Sequence, residues 1–150
     1  MSSTHDVIVI GGGIVGACTA WQLAELGAGV LLLERGSLAG GATRRSQGLL
    51  LDPDRAEMRP LADRSNTLYD EITETSGIDT ALDREPIGTL FLATSETQLE
   101  LLAEMDGELL DRDGVLRVEP AITPTVTGGM LSAVGRRSDP AALTAAAAEL

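Results

Sequence analysis

The stretch Asp6–Glu34, DVIVIGGGIVGACTAWQLAELGAGVLLLE, reads as strand, glycine turn, helix, strand and acid. Val7 to Ile10 is a short apolar run, the pattern of a strand buried on both faces of a parallel sheet. Gly11, Gly13 and Gly16 follow it, with Gly12 as an extra. In this order the first glycine permits a tight turn, the second lets a pyrophosphate reach the backbone, and the third lets the helix pack close to the strand. The helix beginning near Ile14 aims free N–H groups and a positive dipole end at that turn. It is expected to run to about Leu26, with Val15, Ala20, Leu23 and Ala24 on its sheet-facing stripe and Gly27 as C-cap. Val30 to Leu33 is a second buried strand, ended by Glu34. That acid stands about 20 residues past the glycines, where a carboxylate accepts hydrogen bonds from a ribose 2′-OH and disfavours the 2′-phosphate of NADP. The whole is a βαβ unit for the adenosine diphosphate half of a dinucleotide. A βαβ unit with no ligand would leave Glu34 and the glycine cluster unexplained.

Composition narrows the partners. The chain has 150 residues, enough for a domain with a real core, and a formal net charge of −12. Such an acidic surface argues against nucleic acid and anionic membranes. All 11 basic residues are arginines, so lysine Schiff-base and lysine general-base chemistry are excluded within this chain. Cys18 is the single cysteine and His5 the single histidine. No intrachain disulfide can form, and a transition-metal site is not expected. Cys18 reads as a small packed residue beside the glycine turn, and His5 as a solvated residue ahead of the first strand. No signal peptide and no apolar run of about 18 residues is visible, so a soluble cytoplasmic protein is expected.

Arg35–Leu51, RGSLAGGATRRSQGLLL, reads as a loop rich in Gly, Ser and Arg. It leaves the carboxyl end of a parallel strand, where ligands of such sheets bind. Arg44 and Arg45 are candidates to neutralise pyrophosphate or to face a carboxylate substrate, or are plain surface arginines. Asp54–Ser76 is expected to be helical, with Leu61, Ser65, Leu68, Tyr69, Ile72 and Ser76 on one face and Gly77 closing it. Residues 79–86 form a polar connection, and Gly88–Thr94 a strand. Ser95 with Gln98 makes a capping box for a helix expected to reach about Leu110 through Leu99, Leu102, Met105 and Leu109. Gly114–Val118 is a short turn or strand, and Gly128–Ala133 another strand. Asp139 and Pro140 are the N-cap and first residue of a last helix, ALTAAAAEL.

Three of these segments together resemble the D-amino-acid oxidase family of FAD-dependent oxidoreductases, in its glycine oxidase and D-amino-acid dehydrogenase branch. They are the βαβ unit with Glu34–Arg35, the loop GGATRRSQGLL (Gly40–Leu50), and EPAI…GGMLSAVGRRSDPAAL from Glu119 to Leu143. The resemblance implies an α/β fold: a Rossmann-like FAD-binding domain with the start of an interleaved α+β substrate domain. It implies an FAD part over residues 1–85, a partial substrate domain over 86–133, and a return to the FAD domain over 134–150. It also implies the cofactor contacts. Ile14 and Val15 would lie against the pyrophosphate, Glu34 and Arg35 at the adenosine, Ala42 and Thr43 along the phosphates, and Gln47, Gly48 and Leu49 near the ribitol and isoalloxazine.

The activity implied is hydride removal from the C–H beside an amine nitrogen of a small amino acid or amine, with flavin as acceptor. No protein nucleophile is needed, and no catalytic residue is assigned. Members of the family run more than twice as far, so the resemblance implies the N-terminal part of such an enzyme. It would then carry an unpaired sheet edge and half of a cofactor cleft, completed by a missing C-terminal half or a partner subunit. Two other readings stay open: an FAD-dependent dehydrogenase of a hydroxy acid or glycerol phosphate, and an inert protein that only binds the nucleotide. An NAD-dependent dehydrogenase fits the βαβ unit, but the second and third segments argue against it.

Overall fold

The computed structural model describes residues 4–51, 56–78, 81–83, 87–133 and 135–150. In chain order the elements are β1 (Val7–Ile10), α1 (Ile14–Glu25), β2 (Val30–Leu33), α2 (Ala42–Arg45), β3 (Leu49–Leu50) and α3 (Arg59–Ser76). Then come β4 (Thr89–Ala93), α4 (Glu96–Leu102), β5 (Glu108–Asp111), α5 (Arg112–Val118), β6 (Gly128–Ser132), β7 (Arg136–Arg137) and α6 (Pro140–Glu149). They divide into two compact units, Met1–Arg84 with Arg136–Leu150, and Glu85–Gly135.

In the first unit β1 and β2 pair in parallel, in register from Val7↔Val30 to Ile10↔Leu33, joined by α1 as crossover helix. The chain leaves β1 through Gly11, whose φ of 113° suits only glycine, and Gly11 N–H still donates to the Leu33 carbonyl at 2.8 Å. A Cβ on Gly16 would stand 1.9 Å from the Gly11 carbonyl oxygen, so this helix crosses its strand only because residue 16 has no side chain. The core is a cluster of Ala17, Trp21, Ile72, Ala81, Leu143, Ala146 and Ala147, drawn from α1, α3, α6 and the segment before β4. Ala17 of α1 packs with Ala146 and Ala147 of α6, and small residues on both sides let the helices approach closely. The buried stripe of α1 is therefore Ala17, Ala20 and Trp21. Val15 is 78% exposed and Ala24 is exposed, contrary to the expected stripe, because α6 sets the inward face of this helix.

The ends of α3 and α6 are written locally. Gly77 closes α3 at φ 69°, and Asp139 Oδ1 accepts from the N–H groups of Ala141 (2.9 Å) and Ala142 (3.1 Å) at the start of α6. The described part of α3 starts at Arg59, with Pro60 in its first turn, after a 3₁₀ turn at Ala56–Met58; the expected start at residue 54 lies outside the described residues. Ile72 sits at the centre of the expected face, while Leu61 at its near end is 61% exposed.

The second unit is a three-stranded antiparallel sheet in the order β4-β6-β5, with α4 and α5 packed on it. Gly128 and Gly129 of β6 lie so close to the neighbouring strands that a Cβ would meet the Leu110 carbonyl at 2.6 Å and the Phe91 carbonyl at 2.5 Å. Here two expectations fail. The helix opened by Ser95 ends at Leu102, and Leu109 lies on strand β5. The apolar spacing at Met105 and Leu109 satisfies a helix locally, but Gly107 lets the chain pass against Met130 and join β6 instead. Gly114–Val118 is helix rather than turn or strand, because Asp111 caps it by accepting from Gly114 N–H at 2.7 Å. The capping box is also altered. Ser95 Oγ accepts from Gln98 N–H at 3.3 Å, but Gln98 Oε1 accepts from Thr94 N–H at 2.7 Å, not from Ser95.

Arg136 ties β7 to α3. Its guanidinium donates to both Asp70 oxygens, at 2.6 and 3.2 Å, and its Nε to the Asp83 carbonyl at 3.1 Å. The Arg136 side chain is only 20% exposed, so this pair outweighs the open Arg64–Glu71 and Arg137–Asp83 bridges, which solvent screens. A double-mutant cycle of Arg136→Ala and Asp70→Ala is expected to give a coupling of about 1 kcal/mol in denaturant unfolding. Arg136→Lys, which keeps the charge and loses the fork, should destabilise nearly as much as alanine. A coupling near zero would show that the fork contributes nothing.

Candidate functional site

The site grows from the carboxyl ends of β1 and β2. Glu34, at the end of β2, does not wait idle for a ligand. Its Oε2 accepts from Gly12 N–H and its Oε1 from Gly36 N–H, both at 2.8 Å. These two backbone donors, Gly12 first, hold its carboxyl below the usual range. Each oxygen keeps a further lone-pair position for a hydroxyl donor. Gly12 thus does more than pad the motif: a Cβ there would meet Leu38 at 2.7 Å and the Glu34 side chain at 2.9 Å. Its carbonyl accepts from Ala39 N–H at 2.7 Å. Ala39 is buried and left-handed, with φ 58°, a conformation costly for a residue with a Cβ. The turn after β2 is therefore clamped onto the glycine turn after β1. A GGG run carries that signal; the strained alanine leaves none in sequence.

The N-terminus of α1 faces the next piece. Gly13 provides no side-chain cap, and the first turn holds no acid. Thr43, on α2, caps from outside, its Oγ1 accepting from Ile14 N–H at 3.1 Å. The same oxygen would stand 3.1 Å from a Cβ on Gly13. Beyond Thr43 a cavity of about 560 Å³ opens, lined by Ile14, Val15, Ala42, Thr43, Ser46, Gln47, Gly48, Leu49, Leu50, Tyr69, Ser138, Pro140 and Leu143. Its far wall is a backbone seam. Gly48, at φ 69°, presents its carbonyl to Ser138 N–H (2.8 Å) and Ser138 Oγ (3.1 Å). A Cβ on Gly48 would lie 2.2 Å from the Ser138 carbonyl oxygen. The seam continues as the antiparallel pairs Leu49↔Arg137 and Leu50↔Arg136.

Of the residues singled out in sequence, Ile14, Val15, Ala42, Thr43, Gln47, Gly48 and Leu49 line this cavity. Gly11, Gly13, Gly16 and Glu34 build the turn at its edge, and Arg35 is exposed beside Glu34. Residues 35–51, expected as a loop, contain α2 and β3. Arg44 and Arg45 lie on α2, are exposed, and do not line the cavity. In sequence Tyr69 is a position on a helix face and Ser138 a residue next to a cap; their place in the wall comes from contacts that span most of the chain. Cys18 packs beside the core, and burial pushes its thiol up, away from the thiolate needed of a nucleophile. Among the described residues no His, Cys, Asp and Glu cluster could hold a metal, and no helix is long and apolar enough to cross a membrane.

Two measurements test this geometry. Gly48→Ala should lose about 2 kcal/mol or more of stability, since left-handed strain and a backbone clash act together. Gly27→Ala, left-handed at φ 86° but with nothing within 4 Å, should lose about 1 kcal/mol, and Gly41→Ala, in open space, should be within about 0.5 kcal/mol of the parent. Equal effects at the three sites would contradict the seam. For Glu34, a depressed carboxyl means that its clamp is intact above the ordinary 4.5 and is lost as pH falls through the lower folded value. The Glu34 side-chain carbon resonance should titrate below 4.5, with the Gly12 and Gly36 amide resonances moving in step.

Known proteins are similar to this chain in sequence and in fold. Sarcosine dehydrogenase, mitochondrial, from Homo sapiens is 38% identical over 103 residues, 67% of this chain and 11% of that protein. One chain of the anaerobic glycerol-3-phosphate dehydrogenase of Escherichia coli (strain K12) is 31% identical over 156 aligned positions, 97% of this chain and 28% of that one. The crystal structure of glycine oxidase from Bacillus cereus ATCC 14579 superposes with a TM-score of 0.76 at 26% identity, over 97% of this chain and 43% of that one. The chain thus spans well under half the length of each. The family model for FAD dependent oxidoreductases matches residues 6–150. The glycine turn, the clamped acid and the seam at Gly48 accordingly belong to a member of the D-amino-acid oxidase (DAO) family of FAD-dependent oxidoreductases.

Proposed function

We propose that these residues hold the FAD of an enzyme that oxidises the CH–NH bond of an amino acid or related amine. The observation that carries the reading is the continuity of the site. The acid, the glycine turn, the open end of α1 and the 560 Å³ cavity follow one another through Thr43 to Gly48. Glu34 and Arg35 take the adenosine end, the ribose hydroxyls donating to the spare positions of the carboxylate. Gly11, Gly13 and Gly16, with Ile14 and Val15, take the pyrophosphate on backbone N–H groups and the helix dipole, without a basic side chain. Ala42, Thr43, Gln47, Gly48 and Leu49 follow the rest of the cofactor along the cavity. Leu49, Leu50 and Leu143 give the cavity an apolar lining.

When bound, FAD supplies the hydride acceptor; the substrate gives up the hydride from carbon and a proton from nitrogen and leaves as an imine. The chain's task is binding and orientation, which agrees with the protonated Cys18 and the absence of lysine. In this reading residues 1–85 and 134–150 form the FAD part and residues 86–133 begin the substrate domain. A further segment or partner subunit supplies the substrate contacts, in the cytoplasm of the cell. A second reading, oxidation of a hydroxyl-bearing carbon in a hydroxy acid or glycerol phosphate, is favoured by the relative from Escherichia coli, which aligns with 97% of this chain.

The test is to reconstitute the full-length protein with excess FAD and remove what is unbound. A retained visible flavin band is expected, and a colourless product would sink the proposal. Release of ammonia or a free amine on turnover supports amine oxidation, whereas a keto product without nitrogen release supports the second reading.

A further inference from the structure

Among the described residues, the cavity between the start of α1 and the Gly48 seam is lined by no arginine or histidine, and the chain has no lysine. The polar side chains of its wall are four hydroxyls and an amide: Thr43, Ser46, Tyr69, Ser138 and Gln47. Three of the hydroxyls are tied to backbone. Thr43 Oγ1 accepts from Ile14 N–H at 3.1 Å, and Ser46 Oγ from Gly48 N–H at 3.4 Å. Ser138 Oγ donates to the Gly48 carbonyl at 3.1 Å. The Tyr69 hydroxyl and the Gln47 amide make no hydrogen bond among the described residues. Gln47 is exposed, whereas Tyr69 is half-buried in the wall.

Helix α3 fixes the position of this phenol. Leu68 before it packs against the core, Asp70 after it receives the Arg136 fork, and Ile72 is fully buried. A side chain on so anchored a backbone costs little further ordering when a ligand arrives. Burial pushes the phenol up, so it keeps its proton at neutral pH and can donate. The ring has an ordinary role in packing, since it lies against the core. Packing does not account for the hydroxyl, a polar group taken partly out of water with no protein partner in return. Tyr69 also lines a groove of about 650 Å³ between α1 and α3. Ile14, Val15 and Tyr69 are the residues common to that groove and the cavity, so the phenol stands beside the first turn of α1 rather than at Leu49 and Leu50.

Building on the FAD reading above, we propose that the Tyr69 hydroxyl donates a hydrogen bond to a pyrophosphate oxygen of the cofactor, which makes Tyr69 a further cofactor-binding residue. Where a wall carries no cation, an anion is held by neutral donors, and a hydrogen bond to a charged oxygen is about twice as strong as one between neutral groups.

Titration of the full-length apoprotein with FAD and with ADP, for the parent and for Tyr69→Phe, tests this, with heat unfolding of each apoprotein alongside. Tyr69→Phe keeps the ring and removes the hydroxyl. Its affinity for FAD should fall about 10-fold, and its affinity for ADP, which also carries a pyrophosphate, by a similar factor. The unfolding temperature of its apoprotein should stay within about 1 °C of the parent, because the hydroxyl has no protein partner to lose. A fall in FAD affinity with ADP unaffected overturns the proposal, since the phenol then acts away from the pyrophosphate. A matching loss of apoprotein stability also overturns it and leaves the hydroxyl a structural role. Equal FAD affinity in parent and variant rejects this proposal alone, whereas a parent that binds no FAD rejects the cofactor reading and the proposal with it.

Discussion

The first unit depends on two places where backbone meets backbone too closely for any side chain. At the first, α1 passes over the carbonyl of Gly11 at a distance that a Cβ on Gly16 would reduce to 1.9 Å. This contact sets the angle at which the helix leaves the strand, and so brings Ala17 and Trp21 onto α6. At the second, Gly48 lies against the Ser138 carbonyl, and its own carbonyl accepts from Ser138. The first contact spans five residues and the second ninety. Between them they hold the cavity open: one orients the helix end, the other fastens the far wall.

Electrostatics in the site rest on backbone rather than on charged side chains. A chain with net charge −12 could not simply surround a pyrophosphate with acids. The first turn of α1 holds none, and the nearby acid, Glu34, is occupied by the N–H groups of Gly12 and Gly36. Thr43 satisfies the first helix N–H without adding charge. The two arginines of α2 are exposed and do not line the cavity.

Much of this is legible in the residues before folding. The glycine spacing, the acid at Glu34, the C-cap at Gly77 and the cap at Asp139 are local rules, and each appears where the residues predict it, while at the end of α1 the cap is Leu26 and Gly27 follows it in left-handed conformation. Residues 103–110 depart from expectation for the opposite reason. Their apolar spacing suits a helix, but β6 offers a free edge, and Gly107 allows the chain to reach it. Non-local pairing outweighs periodicity there. The same applies to the stripe of α1, where Val15 satisfies a helical face in the abstract but stands in the open at the mouth of the cavity.

By itself the sequence determined the βαβ unit, its glycine turn and the acid that faces it, because strand, turn and cap chemistry act over a few residues. Only the tertiary structure decided that Glu34 is clamped, that Ala39 is forced left-handed, and that Tyr69 and Ser138 share a cavity with Ile14 and Thr43. It alone decided that Ile8 and Ile10 are left uncovered while Val7 and Val9 are not. Those outcomes turn on which backbones meet across tens of residues, and no local pattern of side chains encodes that distance.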